Sequence, residues 1–265
     1  MTAPPITPPA LDHLPCPFAG VFSEEVSATV GFGATKRRTV TKKLWFVERT
    51  ENGDTTMRPV NKNLVPTGNA VPTTPEDVLR DFVPEPDMFM SQVAPRMREL
   101  EQTVDVADDH REKGELYSAE FQYVQALEVD EDHIRANFGI GLTYLEQGEL
   151  DKSRSTLEKI VSLDAAFTEA HKHLFNEFGI RLRRNGMFRE CIAYYTRAME
   201  LGENDDHLLF NVARAHYEAQ DIDKAMIAIE ECLRLNPALG EARLLRKALL
   251  RLRPDKDSSI VISGI

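Results

Sequence analysis

The chain has 265 residues, room for one large domain or two small ones, and 42% hydrophobic with 28% charged residues is ordinary for a chain folded in water. Thirty-two Lys and Arg against 43 Asp and Glu leave a net charge of −11, which argues against non-specific nucleic-acid binding and against an anionic membrane surface. No apolar run is long enough to span a bilayer, and the proline-broken start lacks the basic and apolar regions of a secretory signal, so no membrane partner is expected and the chain is read as cytoplasmic.

Residues 1–18 hold Pro4, Pro5, Pro8, Pro9, Pro15 and Pro17 among few apolar side chains, a composition that predicts disorder. Residues 19–95 read as a small β-hairpin module with a short helix. From Val26 to Val60 the apolar period is two, Gly31-Phe32-Gly33 reads as a turn, and Thr39 to Glu48 is rich in β-branched and aromatic residues. Glu51-Asn52-Gly53-Asp54 predicts a hairpin turn into a strand at Thr55 to Val60, which Pro59 marks as an edge. Thr74 as N-cap and Pro75 in the first turn then start a helix leading to Val78, Leu79 and Phe82. Two or three strands are too few to stand alone, so this module is expected to pack against the helical segment that begins near residue 96.

From residue 96 to 252 an internal repeat takes over. Small residues recur as Ala107, Gly141, Gly179 and Ala213, at spacings of 34, 38 and 34. The same spacings relate Ala119, Ser153, Cys191 and Ala225; Tyr123, Leu157, Tyr195 and Ile229; and Ala126, Ile160, Ala198 and Cys232. Gly114, Gly148, Gly186 and Gln220 form a turn column in step with them. Each unit therefore reads as two amphipathic helices: Ile134 to Gln147 with Glu149 to Ser162 in the second, Asp206 to Gln220 with Ile222 to Leu235 in the fourth. Small columns fall where paired helices cross, because larger side chains would hold the axes apart. Four extra residues before Lys172 amount to about one helical turn and predict that the third unit's first helix begins early. Glu241 to Leu252, with Leu245, Ala248, Leu249 and Leu252 on one stripe, is read as the capping helix that an open-ended stack needs. Residues 253–265 are expected to form a flexible tail.

This pattern resembles the tetratricopeptide repeat, a 34-residue helix-turn-helix unit with small residues at its positions 8, 20 and 27 and a large one at 24. Units counted from Leu100, Ile134, Lys172 and Asp206 put the four columns on those positions, and Pro237 on 32. The resemblance implies a mainly α superhelical solenoid of four units and a cap, preceded by the β-rich module. It also implies a concave groove, lined by the first helix of each unit, that holds a protein or peptide partner. Carried over residue by residue, that groove is Arg135, Phe138 and Leu142 in the second unit, His173, Asn176, Arg183 and Arg184 in the third, and His207, Phe210, Arg214 and Tyr217 in the fourth. Asn211 matches one Asn of the two-carboxylate clamp of chaperone-binding members, but Asn176 and Ile180 stand where that clamp needs Lys and Asn, so the clamp is absent.

Exposed Phe138, Leu142, Phe210 and Tyr217 would call for a covering partner, and the forked donors of Arg183, Arg184 and Arg214 favour carboxylates. The expected ligand is thus an acidic segment with apolar anchors; the competing reading makes some of these residues helix-packing positions. Chemistry is not expected. Cys16, Cys191 and Cys232 include no CxxC pair, His171 and His173 do not share a helix face, and no catalytic, metal-binding or cofactor motif occurs. The leading reading is a non-catalytic adaptor. The alternative is a regulatory or nucleic-acid-binding protein using the basic hairpin 36–46, from Lys36 to Phe46, as its reading head, with the repeats as docking or self-association platform. Homo-oligomerisation stays open, as does docking of the tail Ser258 to Ile265 in a groove.

Overall fold

The computed structural model describes residues 14–30, 37–201 and 205–252. The expectations for Gly31-Phe32-Gly33, for Lys36 and for the two termini fall outside these residues. The chain divides into two compact units, Met1–Ala107 with Gln122–His133 and Asp108–Phe121 with Ile134–Ile265. Among the described residues no helix is long and apolar enough to cross a membrane.

The first unit is built on an antiparallel sheet. Strands β1 (Phe18–Val30) and β2 (Arg37–Arg49) form a long hairpin, β3 (Thr55–Pro59) follows the Gly53 turn, and β4 (Val71–Thr73) and β5 (Val83–Pro84) complete the order β4-β3-β2-β1-β5. Among the described residues, five strands replace the two or three expected. Interior β3 also corrects the edge assignment: β4 pairs with Thr55, Thr56 and Met57 and stops short of Pro59, whose missing N–H is therefore tolerated. Helix α1 (Pro75–Asp81) starts as predicted, the Thr74 hydroxyl accepting from the Asp77 N–H.

Both faces of the sheet are covered. Val21 lies opposite Phe46 and packs with Met88, Phe89, Val93 and Met97 from α2 (Pro86–Met88), the π turn after it, and α3 (Ala94–Glu112). On the other face Phe22, Val47, Met57 and Leu14 pack with Val78, Leu79 and Phe82 of the α1 segment. Double burial explains why Leu44-Trp45-Phe46-Val47 is an unbroken apolar run rather than an alternation.

The same unit grips the end of α4 (Leu116–Val129). Asn61 and Asn63 each donate from Nδ2 to the Val129 carbonyl at 2.8 Å, Asn63 also reaches the Glu128 carbonyl at 3.1 Å, and Thr67 Oγ1 donates to Asp130 Oδ1 at 2.5 Å. A helix leaves its last carbonyls without intrahelical partners, and the two asparagines supply donors to them.

Repeated helical hairpins make the second unit: α5 (Ile134–Gln147) with α6 (Leu150–Ser162), α7 (Lys172–Arg184) with α8 (Phe188–Leu201), and α9 (Asp206–Glu218) with α10 (Ile222–Leu235), then α11 (Gly240–Leu252). The columns do what their sizes imply. Gly141, Gly179, Ala213, Ser153, Cys191 and Ala225 are buried at helix crossings, and Leu157, Tyr195 and Ile229 fill the space beside them. Gln220, with φ +63, adopts the left-handed turn that Gly148 and Gly186 adopt at the same column. One expectation fails: α7 does not start early. The four inserted residues are absorbed by two 3-10 turns, Asp164–Phe167 and Glu169–His171, that bury Ala166 and set Phe167 against Phe175 and Tyr194, with ring centroids 5.7 Å apart in each case.

Candidate functional site

Every groove residue named from the sequence lies on α5, α7 or α9, the first helices of their units, but they do not share one environment. Phe138 and Leu142 are fully buried; Phe138 meets Phe178 of α7 edge-on, centroids 5.9 Å apart, and Leu142 belongs to the same core. This corrects the expectation that they are exposed anchors: α7 packs over α5 and removes both from water, so these two are packing positions. Arg135, partly exposed, is tied to Asp108, with Nη2 2.7 Å from Oδ2. Deeper along the same face Arg111 and Arg181 share Glu146 and Glu177 at 3.3–3.9 Å, four charges that sum to zero. Glu177 and Arg181 were not among the expected groove residues, although their i, i+4 spacing on one helix signals such a pair.

The end of the face formed by α7 and α9 is different. Arg183 is 7% exposed and bound to Glu218 of α9. Arg214 lies over the Phe210 ring, its guanidinium carbon 5.7 Å from the centroid, and neither Arg214 nor exposed Arg184 has a carboxylate partner among the described residues. Burial, followed by the field of Arg183, pulls Arg214 below the ordinary arginine value; Arg184 adds to this and Glu218 opposes it. The group remains a cation at neutral pH, and the direction reports its burial first and crowding by like charge second. Phe210 and Tyr217 are half-buried against the core, each keeping an open edge, while Asn176 and Asn211 are half-buried and His173 and His207 exposed. Three guanidiniums, one carboxylate and two half-open aromatic rings thus occur together here, an arrangement suited to holding a carboxylate beside an apolar group.

Two of the repeats match a family model. The tetratricopeptide repeat model covers residues 134–167 and 206–239, the α5–α6 and α9–α10 hairpins. These two hairpins are tetratricopeptide repeats. Among curated proteins the chain's repeats are similar to Anaphase-promoting complex subunit 3 of Schizosaccharomyces pombe (strain 972 / ATCC 24843), 22% identical over 129 residues. That match takes in 49% of this chain and 19% of the relative, so the chain spans about a fifth of that protein's length. Among solved structures the chain is similar to pilF of Pseudomonas aeruginosa, with TM-score 0.45, 17% identity, and coverage of 60% of this chain and 70% of that one. Another is YrrB, described as a tetratricopeptide protein with an unusual peptide-binding site, with TM-score 0.42, 22% identity, and coverage of 58% and 78%.

Elsewhere the chain's reactive side chains are used structurally. Cys191 and Cys232 are buried, their thiols directed to the Gly179 and Asp206 carbonyls, and burial pushes them up to about 12 and about 11. His110 bonds Glu115, and His216 lies 3.8 Å from Asp221. Among the described residues no cluster of three or more His, Cys, Asp or Glu could hold a metal ion. The described part of the basic hairpin provides no aromatic platform for nucleic acid: Phe46 is buried, Trp45 packs into the sheet's core with its indole N–H donated to Glu24 at 3.1 Å, and Lys42 is paired with Glu85.

Proposed function

We propose that this protein is a non-catalytic adaptor that holds a segment of another protein against the α7 and α9 end of its repeat face. A carboxylate of that segment sits between Arg184 and Arg214, and an apolar side chain lies on Phe210 and Tyr217. The observation that carries the reading is the charge imbalance: among the described residues Arg183, Arg184 and Arg214 face Glu218 alone, and Arg214 is already held below its ordinary value by burial and its cationic neighbours. An anion entering there relieves that repulsion in a partly dry setting, where a forked charge-assisted bond is strong. The α5 part of the face, neutral and with its apolar residues covered, contributes little.

An immobilised array of peptides graded in Asp and Glu content, with and without one Phe or Leu, tests this. The intact protein should be retained by acidic peptides carrying an apolar residue, with binding that weakens as salt is raised, and Arg184→Glu with Arg214→Glu should abolish retention. Equal retention of the double variant, or no preference for acidic peptides, refutes the proposal.

A further inference from the structure

Because the second helices of the units repeat the same columns, an exposed residue on one can be compared with its equivalents. The column of Tyr117 continues as Asp151, Arg189 and Asp223, charged throughout; that of Phe121 continues as Ser155, Ala193 and Ile227. On α4 these positions are Tyr117 at 83% and Phe121 at 60% exposure, one helical turn apart, on a helix that carries Glu120 and Glu128 and no basic residue. Two adjacent aromatic side chains in water, where the other units present charge or smaller groups, mark a surface that something covers.

The capping helix shows the complementary pattern. Ala242 and Leu249 of α11 are buried, while Leu252, expected on the packed stripe, is 51% exposed and with Leu244 at 71% flanks half-buried Ala248 on a second stripe facing away from the stack. Exposed Lys247 and Arg251 border that stripe without a carboxylate partner among the described residues. In all, α11 carries Arg243, Arg246, Lys247 and Arg251 against Glu241.

We infer that the Leu244–Leu252 stripe of α11 in one copy docks on Tyr117 and Phe121 of α4 in a second copy. Apolar surface meets apolar surface, and exposed Lys247 and Arg251 of α11 meet exposed Glu128 of α4, whose other acid, Glu120, is already shared with Lys152. The two patches are different surfaces of one molecule, so a single contact leaves one α4 and one α11 free to add further copies, and association grows with concentration. Opposite charge makes it weaken as salt is raised.

Size-exclusion chromatography with light scattering on the full chain, across a concentration series at low and high salt, reads this directly. Two variants separate the surfaces: Tyr117→Ser with Phe121→Asp spoils α4, and Leu244→Asp spoils α11. All the replaced side chains are exposed, and unchanged circular dichroism and melting temperature verify the fold. The wild type should grow in mass with concentration and each variant should stay monomeric. An equimolar mixture of the two should form a one-to-one pair that grows no further, since one supplies α11 and the other α4. Lys247→Glu with Arg251→Glu should weaken the wild-type association about tenfold at low salt. A wild type that is monomeric throughout, a mixture that does not pair, or a variant that assembles like the wild type overturns the inference.

Discussion

Gly179 gives the sharpest test of the packing argument, because helix propensity and packing predict opposite signs there. In the middle of a helix, Gly→Ala ordinarily stabilises by about 1 kcal/mol. At Gly179 an added Cβ would overlap the hydroxyl and Cζ of Tyr195 and lie 2.9 Å from its Cε1. Tyr195 cannot swing aside: it is fully buried, edge-on to Phe175 with centroids 5.5 Å apart, and next to buried Tyr194. Overpacking a well-filled core costs about 1–3 kcal/mol, and contact with a ring rather than a flexible chain end puts this case at the upper end. Gly179→Ala should therefore destabilise by about 1–2 kcal/mol net and lower the melting temperature by about 3–6 °C, read by thermal and urea denaturation. Tyr195→Phe alone should be close to neutral, because the buried hydroxyl it removes has no hydrogen-bond partner among the described residues. Combining Gly179→Ala with Tyr195→Leu should show a coupling of at least about 1 kcal/mol, since the smaller side chain gives the new methyl room. A Gly179→Ala protein as stable as the wild type, or a strictly additive cycle, would refute close approach of α7 and α8 at this column.

Two further predictions concern stability. Burial holds His216 below the ordinary histidine value of 6.5, with Asp221 opposing and Lys224 assisting; the fold thus favours the neutral ring. Its contribution is present above the unfolded value and is lost as pH falls toward the lower folded value, so His216→Gln should flatten the wild-type loss of stability between about pH 7 and pH 5 in urea titrations. Asn61→Ala with Asn63→Ala removes the donors to the Val129 and Glu128 carbonyls. Hydrogen exchange should accelerate in the last turn of α4 and in residues 61–67, with a loss of about 1–2 kcal/mol; unchanged exchange would mean that water replaces these donors at no cost.

What could be read from the sequence was governed by periodicity. The helical units were legible because four columns repeat in step, and α5 and α10 have the bounds those columns imply. A strand buried on both faces has no alternation to read, so Leu44-Trp45-Phe46-Val47 identifies β2 without revealing that helices cover both its sides. Strands β4 and β5, three and two residues long, are shorter than any period, and only the sheet that recruits them makes them strands. The insertion before α7 was visible as a number of residues, but whether they extend a helix or fold into 3-10 turns depends on Phe167 finding Phe175 and Tyr194, contacts that spacing does not encode.

Groove assignment by column failed in part for a related reason. A column specifies which side of a helix a residue occupies; exposure depends on what packs against that side next. Phe138 and Leu142 on α5 are followed by α7, and Phe178 closes over them. Phe210 and Tyr217 occupy equivalent faces on α9, the last first helix of the array, and stay half open. The arginines divide in the same way: Arg183 is neutralised by Glu218 of the following unit, whereas Arg214, followed only by the capping helix α11, stacks on its own helix's Phe210. The half-open rings and a guanidinium without a carboxylate partner among the described residues therefore concentrate on α9, where only the capping helix follows. Adding a fifth unit after α10 in place of α11 should bury Phe210 and Tyr217 and remove acidic-peptide retention without any change at Arg184 or Arg214, whereas a groove defined by column alone would keep it.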